Sequence, residues 1–306
     1  MTDPSGHLLD SLTGRQRLFD RLDRIERRLE EAIAYFAIRS NRVSDSQSVF
    51  LGDHTAVTFL EGGIRILVDT RSIDIGIHLL TLGRWETGYT SLFTRLVKPG
   101  DTVLDLGANH GVYALLAAQI VGPTGRVDAF EPNPRLAHLV DLSLRLNGFS
   151  PWASVHAVGV SEAAGTARLV FVDSFSGGGS IAAPGTQQTQ PGVDCRLVAL
   201  DEMFADPAYR PDVIKMDVEG HEGRALRGMR RLLERAPGVR IMMEFAPEMM
   251  ARAGVPAAEV ADMLGRLGLR PWMIDHEGAL TGMDWGAVLA TASGIQNILV
   301  AREEPA

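Results

Sequence analysis

Two short stretches constrain the fold of this chain more than anything else in it. Val103-Leu104-Asp105-Leu106-Gly107-Ala108-Asn109-His110-Gly111 reads as a buried strand running into a glycine turn, and Phe130-Glu131-Pro132-Asn133-Pro134 as a second strand ending in a carboxylate. A helix fits between them, giving the strand, turn, helix and strand unit that binds adenosine-containing cofactors. Glycine at the turn lets backbone approach a ligand closely. Glu131, about 20 residues beyond the turn, is placed to accept hydrogen bonds from ribose hydroxyls. The Gly-x-Gly-x-x-Gly string that brings a helix N-terminus against a pyrophosphate is absent, and Asp105 stands ahead of the turn, where it would repel phosphate. A carboxylate there suits a cation. S-adenosylmethionine carries a sulfonium and an ammonium and no phosphate, so Asp105, Gly107, Asn109 and Gly111 are expected to cradle its methionine end.

With 306 residues the chain has room for one catalytic domain and a small preamble. Its hydrophobic content of 45% and charged content of 22% are those of a soluble globular protein. No window approaches the roughly 18 uninterrupted apolar residues of a membrane span. Met1-Thr2-Asp3-Pro4-Ser5-Gly6 lacks a basic start followed by an apolar run, so secretion is not expected. Cys195 is the only cysteine, which rules out an intramolecular disulfide or a cysteine-based zinc cluster and fits a reducing cytoplasm. A formal net charge of −8 argues against broad nucleic-acid binding.

Three regions follow from the patterning. Residues 1–45 hold an amphipathic helix in which Leu18, Leu22, Ile25, Leu29, Ala32 and Phe36 form a seam. That seam is expected to make a homo-oligomer, with docking on its own domain or on a membrane surface as alternatives. Residues 46–98 read as a β-hairpin, 56–60 and 64–68 about the turn Glu61-Gly62-Gly63, followed by helical patterning from Ile77 to Val97. Residues 99–306 form the core, with strands at 102–106, 126–131, 153–158, 212–217, 239–245, 269–275 and 295–301. Helices are expected at 111–121, 134–146, 220–235 and 256–267. This alternation predicts an α/β fold with a mostly parallel Rossmann-like sheet and helices on both faces. The last two strands, with no obvious full helix between them, are expected to close it as an antiparallel hairpin. Residues 173–192 are rich in Gly, Ser, Pro and Gln and read as a mobile loop or lid over the acceptor.

A second block, Asp212-Val213-Ile214-Lys215-Met216-Asp217-Val218-Glu219-Gly220-His221-Glu222, releases several ionisable side chains where a strand meets a helix. Ligands in open α/β sheets bind beyond the carboxyl ends of strands, so these groups should face the same crevice as Asp105 and Glu131. Alternation puts Lys215, Asp217 and Glu219 on one side, with Asp217 nearest the reacting methyl. His221 is a candidate base, Glu222 a partner for the helix N-terminus, and Glu244, ending Ile241-Met242-Met243-Glu244-Phe245, points at the same rim.

With both blocks, the chain resembles the FkbM-type family of S-adenosylmethionine-dependent O-methyltransferases, a branch of the class I methyltransferases. The matching residues are Gly83-Arg84-Trp85-Glu86, Lys98-Pro99-Gly100-Asp101, Asp105 to Gly111, Phe130-Glu131-Pro132-Asn133, Leu200-Asp201-Glu202, Ile214 to Glu222, and Gln296-Asn297-Ile298-Leu299, covering 83 to 300. The resemblance implies a cofactor site of Glu86, Asp105, Gly107, Ala108, Asn109, Gly111, Glu131, Pro132, Asn133 and Asp217. It also implies acceptors among the hydroxyls of sugars, glycans, polyketides and other natural products. Asp217 or a nearby acid or histidine would take the hydroxyl proton while Lys215 holds an acceptor oxygen. A Mg²⁺ ion on Asp217, Glu219 and Glu244 is the less favoured alternative. RNA methylation, a cofactor-binding scaffold without chemistry and a nicotinamide oxidoreductase are the competing functions, in falling order.

Overall fold

The computed structural model describes Ile25 and residues 48–172, 174–181, 192–291 and 293–304. Apart from Ile25, which is helical and exposed, the amphipathic segment expected over 1–45 lies outside the described residues.

The preamble starts with a three-stranded antiparallel sheet of β1 (Val49–Gly52), β2 (Thr55–Phe59) and β3 (Arg65–Asp69). β2 and β3 are the expected hairpin, and β1 is an addition to it. The helical stretch expected from Ile77 to Val97 is two helices, α1 (Ile75–Leu82) and α2 (Thr87–Leu96). Gly83 separates them because it takes a left-handed conformation, with φ 63°, that ends α1. The outer edge of β3 is not left bare. The Leu67 amide donates to Ser143 Oγ (2.9 Å) and the Arg65 amide to Asn147 Oδ1 (2.9 Å), while Asn147 Nδ2 donates to the Arg65 carbonyl (2.7 Å). Both side chains come from the region of α4, described next, so a core helix finishes the edge that a fourth strand would have covered.

The core runs β4 (Thr102–Leu106), α3 (Val112–Val121), β5 (Arg126–Phe130), α4 (Pro134–Leu146) and β6 (Ala153–His156). A four-stranded sheet then interrupts it: β7 (Gly159–Val160), β8 (Gly165–Val172), β9 (Phe175–Ile181) and β10 (Gly192–Val198), in the order β7-β10-β8-β9. The stretch expected to be a loop thus contains a strand, β9, antiparallel to β8. Asp173 and residues 182–191 lie outside the described residues. The chain resumes with α5 (Leu200–Met203), β11 (Val213–Met216), α6 (Glu222–Arg227), α7 (Arg230–Glu234) and β12 (Arg240–Phe245). The single helix expected over 220–235 breaks near Gly228, where a Cβ would stand 2.0 Å from the Ser161 carbonyl. It ends with α8 (Pro247–Arg252), α9 (Ala257–Arg266), β13 (Arg270–Ile274), β14 (Leu280–Gly282), α10 (Trp285–Thr291) and β15 (Gln296–Ala301).

The large sheet has the order β14-β13-β15-β12-β11-β4-β5-β6. β12, β11, β4, β5 and β6 are parallel, while β15 is antiparallel to both β12 and β13. The two final core strands pair antiparallel as expected. The connection corrects the reading of a plain hairpin, because β14 and α10 lie between them. One face of the sheet, with Val103, Ala129, Val213 and Met242, packs against the α2 and α3 side chains Phe93, Tyr113 and Leu115. The other, with Leu104, Leu106, Ile214 and Ile241, packs on Leu226, Leu232 and Leu264 of α6, α7 and α9. Burying both faces of a parallel sheet requires the largely apolar runs these strands carry, interrupted by Asp105 on β4, Asp128 on β5 and Lys215 on β11. Chain order reverses between β4 and β11, and such a switch point opens a crevice at the strands' carboxyl ends. Among the described residues, no helix is long and apolar enough to cross a membrane.

Candidate functional site

A cavity of about 270 Å³ opens where β4, β5, β11 and β12 end. Its floor is the β4–α3 turn. Gly107 has φ 79°, and a Cβ there would stand 1.8 Å from the Asp217 carbonyl, so only glycine lets β4 and β11 leave the sheet side by side. The amides of Gly107 and Ala108 both donate to the Phe130 carbonyl (2.9 and 3.0 Å), tying the turn to β5.

Glu131, 6% exposed, stands beyond the end of β5. One of its carboxylate oxygens accepts the Asn109 amide and the other the Asn133 amide, each at 2.8 Å. The carboxylate is thus fixed before any ligand arrives, and each oxygen retains a lone pair. Burial pushes its carboxyl up to about 7 against the two amides that favour the charged form.

Asp105 and Lys215 are register partners on β4 and β11. Lys215 Nζ donates to the Gly107 carbonyl (3.2 Å) and Asp217 Oδ2 (3.3 Å), lies 4.0 Å from Asp105 Oδ1, and sits 5.1 Å from the centre of the Tyr113 ring. Burial pulls this ammonium down, yet Asp217, Asp105 and Glu86 outweigh it and hold the lysine above its usual range. Asp105 is fully buried, and neither of its carboxylate oxygens has a hydrogen-bond partner. Burial raises its carboxyl to about 6, with Lys215 pulling the other way.

The remaining wall is acidic. Glu86 accepts the Tyr113 hydroxyl (2.8 Å), and burial raises its carboxyl. Burial lifts Glu219 and Glu244 to about 8 each, with Asp217 adding repulsion in both cases. Three of the five non-glycine residues with positive φ among those described, Glu86 (41°), Asn109 (51°) and Glu219 (54°), line this cavity. Strained backbone of this kind gathers at ligand sites, where the surroundings hold it in place.

Of the residues read as cofactor-binding, Glu86, Gly107, Ala108, Asn109, Glu131, Pro132, Asn133 and Asp217 line the cavity. Asp105 and Gly111 do not. Asp105 lies behind the wall, among strands on both sides, and acts on the cavity through Lys215. Gly111 is pressed on α4, where a Cβ would stand 2.9 Å from a Val140 methyl. Lys215, Asp217, Glu219 and Glu244 line the cavity, whereas His221, read as a candidate base, does not. Its Nε2 is 3.0 Å from Ser161 Oγ, and burial lowers its pKa to about 4, so it is a neutral packing residue turned away from the crevice. Glu222 closes the turn before α6 by accepting the Val218 and Gly220 amides (3.1 and 3.3 Å). Among the described residues, no three His, Cys, Asp or Glu side chains are grouped to hold a metal ion. Asp217, Glu219 and Glu244 therefore share the cavity without forming a ready ligand set.

Residues that sequence reasoning missed complete the site. Tyr113 on α3 orients Glu86 and carries Lys215 over its ring. Asp74 and Phe171 line the outer wall beside Phe175, Ser176 and Gly177, which belong to the stretch expected to cover the acceptor. No spacing signals Asp74 or Phe171, because they come from the preamble and the small sheet, far apart in sequence.

A family model described as the methyltransferase FkbM domain matches residues 105–270, more than half of the chain. A hexuronic acid methyltransferase, AglP, of Haloferax volcanii is 30% identical over 158 residues, covering 49% of this chain and 59% of that protein. A protein-L-isoaspartate O-methyltransferase of Methanopyrus kandleri is 30% identical over 147 residues, 46% of this chain and 56% of its own. The chain thus spans under two thirds of the length of these curated relatives. Among solved structures, a SAM-dependent O-methyltransferase of Thermotoga maritima aligns with a TM-score of 0.40 and 12% identity, covering 86% of this chain and 88% of that one.

Proposed function

The chain belongs to the FkbM methyltransferase family, and from that premise we propose that it moves a methyl group from S-adenosylmethionine to a hydroxyl of a sugar, glycan or natural-product acceptor. The observation that carries this reading is Glu131. A buried carboxylate held by two backbone amides at the mouth of a glycine turn is a preorganised acceptor for two neighbouring ribose hydroxyls. The rest of the cavity fits the same ligand. Six carboxyl groups line it (Asp74, Glu86, Glu131, Asp217, Glu219 and Glu244) against one lysine, and the buried Asp105 behind them has no hydrogen-bond partner. Such a lining favours a cationic cofactor and disfavours one built on phosphates.

When bound, the cofactor supplies an electrophilic methyl on a sulfonium. The chain supplies placement and a proton acceptor. Asp217, paired with the Lys215 ammonium, is positioned at the β11 end to orient an acceptor hydroxyl and receive its proton. Glu219 and Glu244 stand on the same rim, where burial and the Asp217 charge raise both carboxyls to about 8, so near neutral pH they are placed to donate hydrogen bonds to the acceptor rather than to serve as its base. Cytoplasmic location and self-association through the N-terminal seam belong to the same proposal and rest on the sequence alone.

Replacing Asp217 by Asn tests the assignment, because it keeps shape and removes charge. Turnover should fall about 10²-fold or more while calorimetric affinity for S-adenosylhomocysteine stays near that of the wild type. Full wild-type activity in EDTA would leave Asp217 as a base or orienting group, and loss rescued by Mg²⁺ would make it a ligand. Near-normal turnover by the variant would discard both roles.

A further inference from the structure

Strand β9 has little of its own to hold it in place. It reads Phe175-Ser176-Gly177-Gly178-Gly179-Ser180-Ile181, and it lies at the edge of its sheet. Its register with β8, its one partner strand among the described residues, shifts between Val170 and Val172. Three glycines in an edge strand contribute neither side-chain packing nor low chain entropy. Yet this strand walls the cavity with Phe175, Ser176, Gly177, Gly179 and Ile181.

What fixes it comes from outside its sheet, at Ser176 and Gly177. Asp74, just ahead of α1, accepts the Gly177 amide (2.7 Å), the Ser176 amide (3.2 Å) and the Ser176 hydroxyl (3.2 Å). The Ser72 hydroxyl donates to the same carboxylate at 2.5 Å, and the Ile73 amide donates to the Ser174 carbonyl at 3.0 Å. From the cofactor side, Asn109 Nδ2 donates to the Ser176 carbonyl at 2.9 Å. His110 Nδ1 lies 2.6 Å from Asn109 Oδ1, which sets the asparagine amide with its nitrogen toward β9. Asn109 also gives its backbone amide to Glu131, so one residue joins the strand to the expected ribose acceptor.

We propose that β9 is a latch over the cavity, fastened by Asp74 as a positioning residue, and that ligand passes in and out only when the bonds from Ser176 and Gly177 to Asp74 open. The proposal deepens the reading of the cavity as a cofactor and acceptor site and rests on it for the identity of the ligand. Hydrogen bonds to a charged, partly buried acceptor are the strong class, which suits a fastening that must be firm when shut. Gly177 offers a way to loosen it from the other side, since a Cβ there would stand 3.1 Å from Asp74 Oδ2 and 3.5 Å from Ile75 Cδ1.

The test uses the full chain, with Asp74→Ala removing the acceptor and Gly177→Ala crowding it. Amide hydrogen exchange of residues 174–181 in the ligand-free protein should rise at least about tenfold in both variants, with the core strands unchanged. Stopped-flow release of S-adenosylhomocysteine should accelerate by a similar factor, with association faster as well. Unchanged local exchange in both variants would overturn the latch, and so would unchanged release rates alongside raised exchange. Failure of the wild type to bind S-adenosylhomocysteine would instead sink the cofactor reading, and exchange alone would then decide whether Asp74 fastens β9.

Discussion

At the scale of single residues, the site is a set of carboxyl groups held where water would not keep them. Glu131 combines near-complete burial with two backbone donors, so its cost is met partly by the fold and fully only when hydroxyls arrive. Glu131→Ala should therefore weaken S-adenosylmethionine binding by about 1–3 kcal/mol, measured by calorimetry. Unchanged affinity would remove Glu131 from the cofactor site. His221 shows the limit of reading residue types. It follows Asp-Val-Glu-Gly where a base would be useful, but the turn at Gly220 (φ 92°) sends it to Ser161 instead.

At the scale of elements, the strands of the large sheet were legible because burial on both faces leaves a contiguous apolar run. Val213-Ile214-Lys215-Met216 was legible despite its lysine, since the ionisable neighbours mark where the strand leaves the sheet. β9 was not legible. Glycine and serine carry no strand signal, and the strand they form against β8 is tethered by Asp74 and Asn109, from more than sixty residues away. The split between α1 and α2 and the break near Gly228 were hidden for the same reason, since a helix pattern continues past points where a distant carbonyl forbids it. The site was legible along the sheet rim, at Glu86 and in the expectation that 173–192 covers the acceptor, and illegible at Asp74, Tyr113 and Phe171. Glycine at the β4 turn offers a direct check on how tightly these elements fit. Gly107→Ala should destabilise the protein by roughly 3 kcal/mol or more in chemical denaturation, because its Cβ overlaps the Asp217 carbonyl. Gly238→Ala, with no atom within 4 Å of the added methyl and no positive φ, should stay within about 0.5 kcal/mol of the wild type. Equal effects would mean that the β4 and β11 ends can part without cost.

At the scale of the whole molecule, the buried acids set how stability responds to pH. Asp105 is raised to about 6, Glu131 and Glu222 to about 7, and Glu219 and Glu244 to about 8, so the folded state holds more protons than the unfolded chain between about pH 4 and 8. His110 and His221, lowered by burial to about 4, work the other way below about pH 6.5, but the five acids outnumber them, so stability of the ligand-free protein should fall as pH rises through that window. Asp69 works in the opposite sense at the acid end. It is held at about 2, burial being outweighed by Arg71 and Arg135, and its contribution is lost as pH drops from about 4 toward 2. The melting temperature should therefore peak in mild acid and decline toward pH 8, and a cationic ligand should recover more of it at higher pH. A profile that rises steadily to pH 8 would show that the acids are not held protonated by the fold.

The helix side chains along β3 bear on how copies of the chain meet. A sheet with an open edge is a template on which identical strands can be added without limit, and this preamble has two edges to guard. Ser143 and Asn147 take up the donors and the acceptor that β3 would offer a newcomer, so addition on that side must first break contacts inside the core. Within this sheet, addition of a further strand is left to β1, whose four residues give a short foothold.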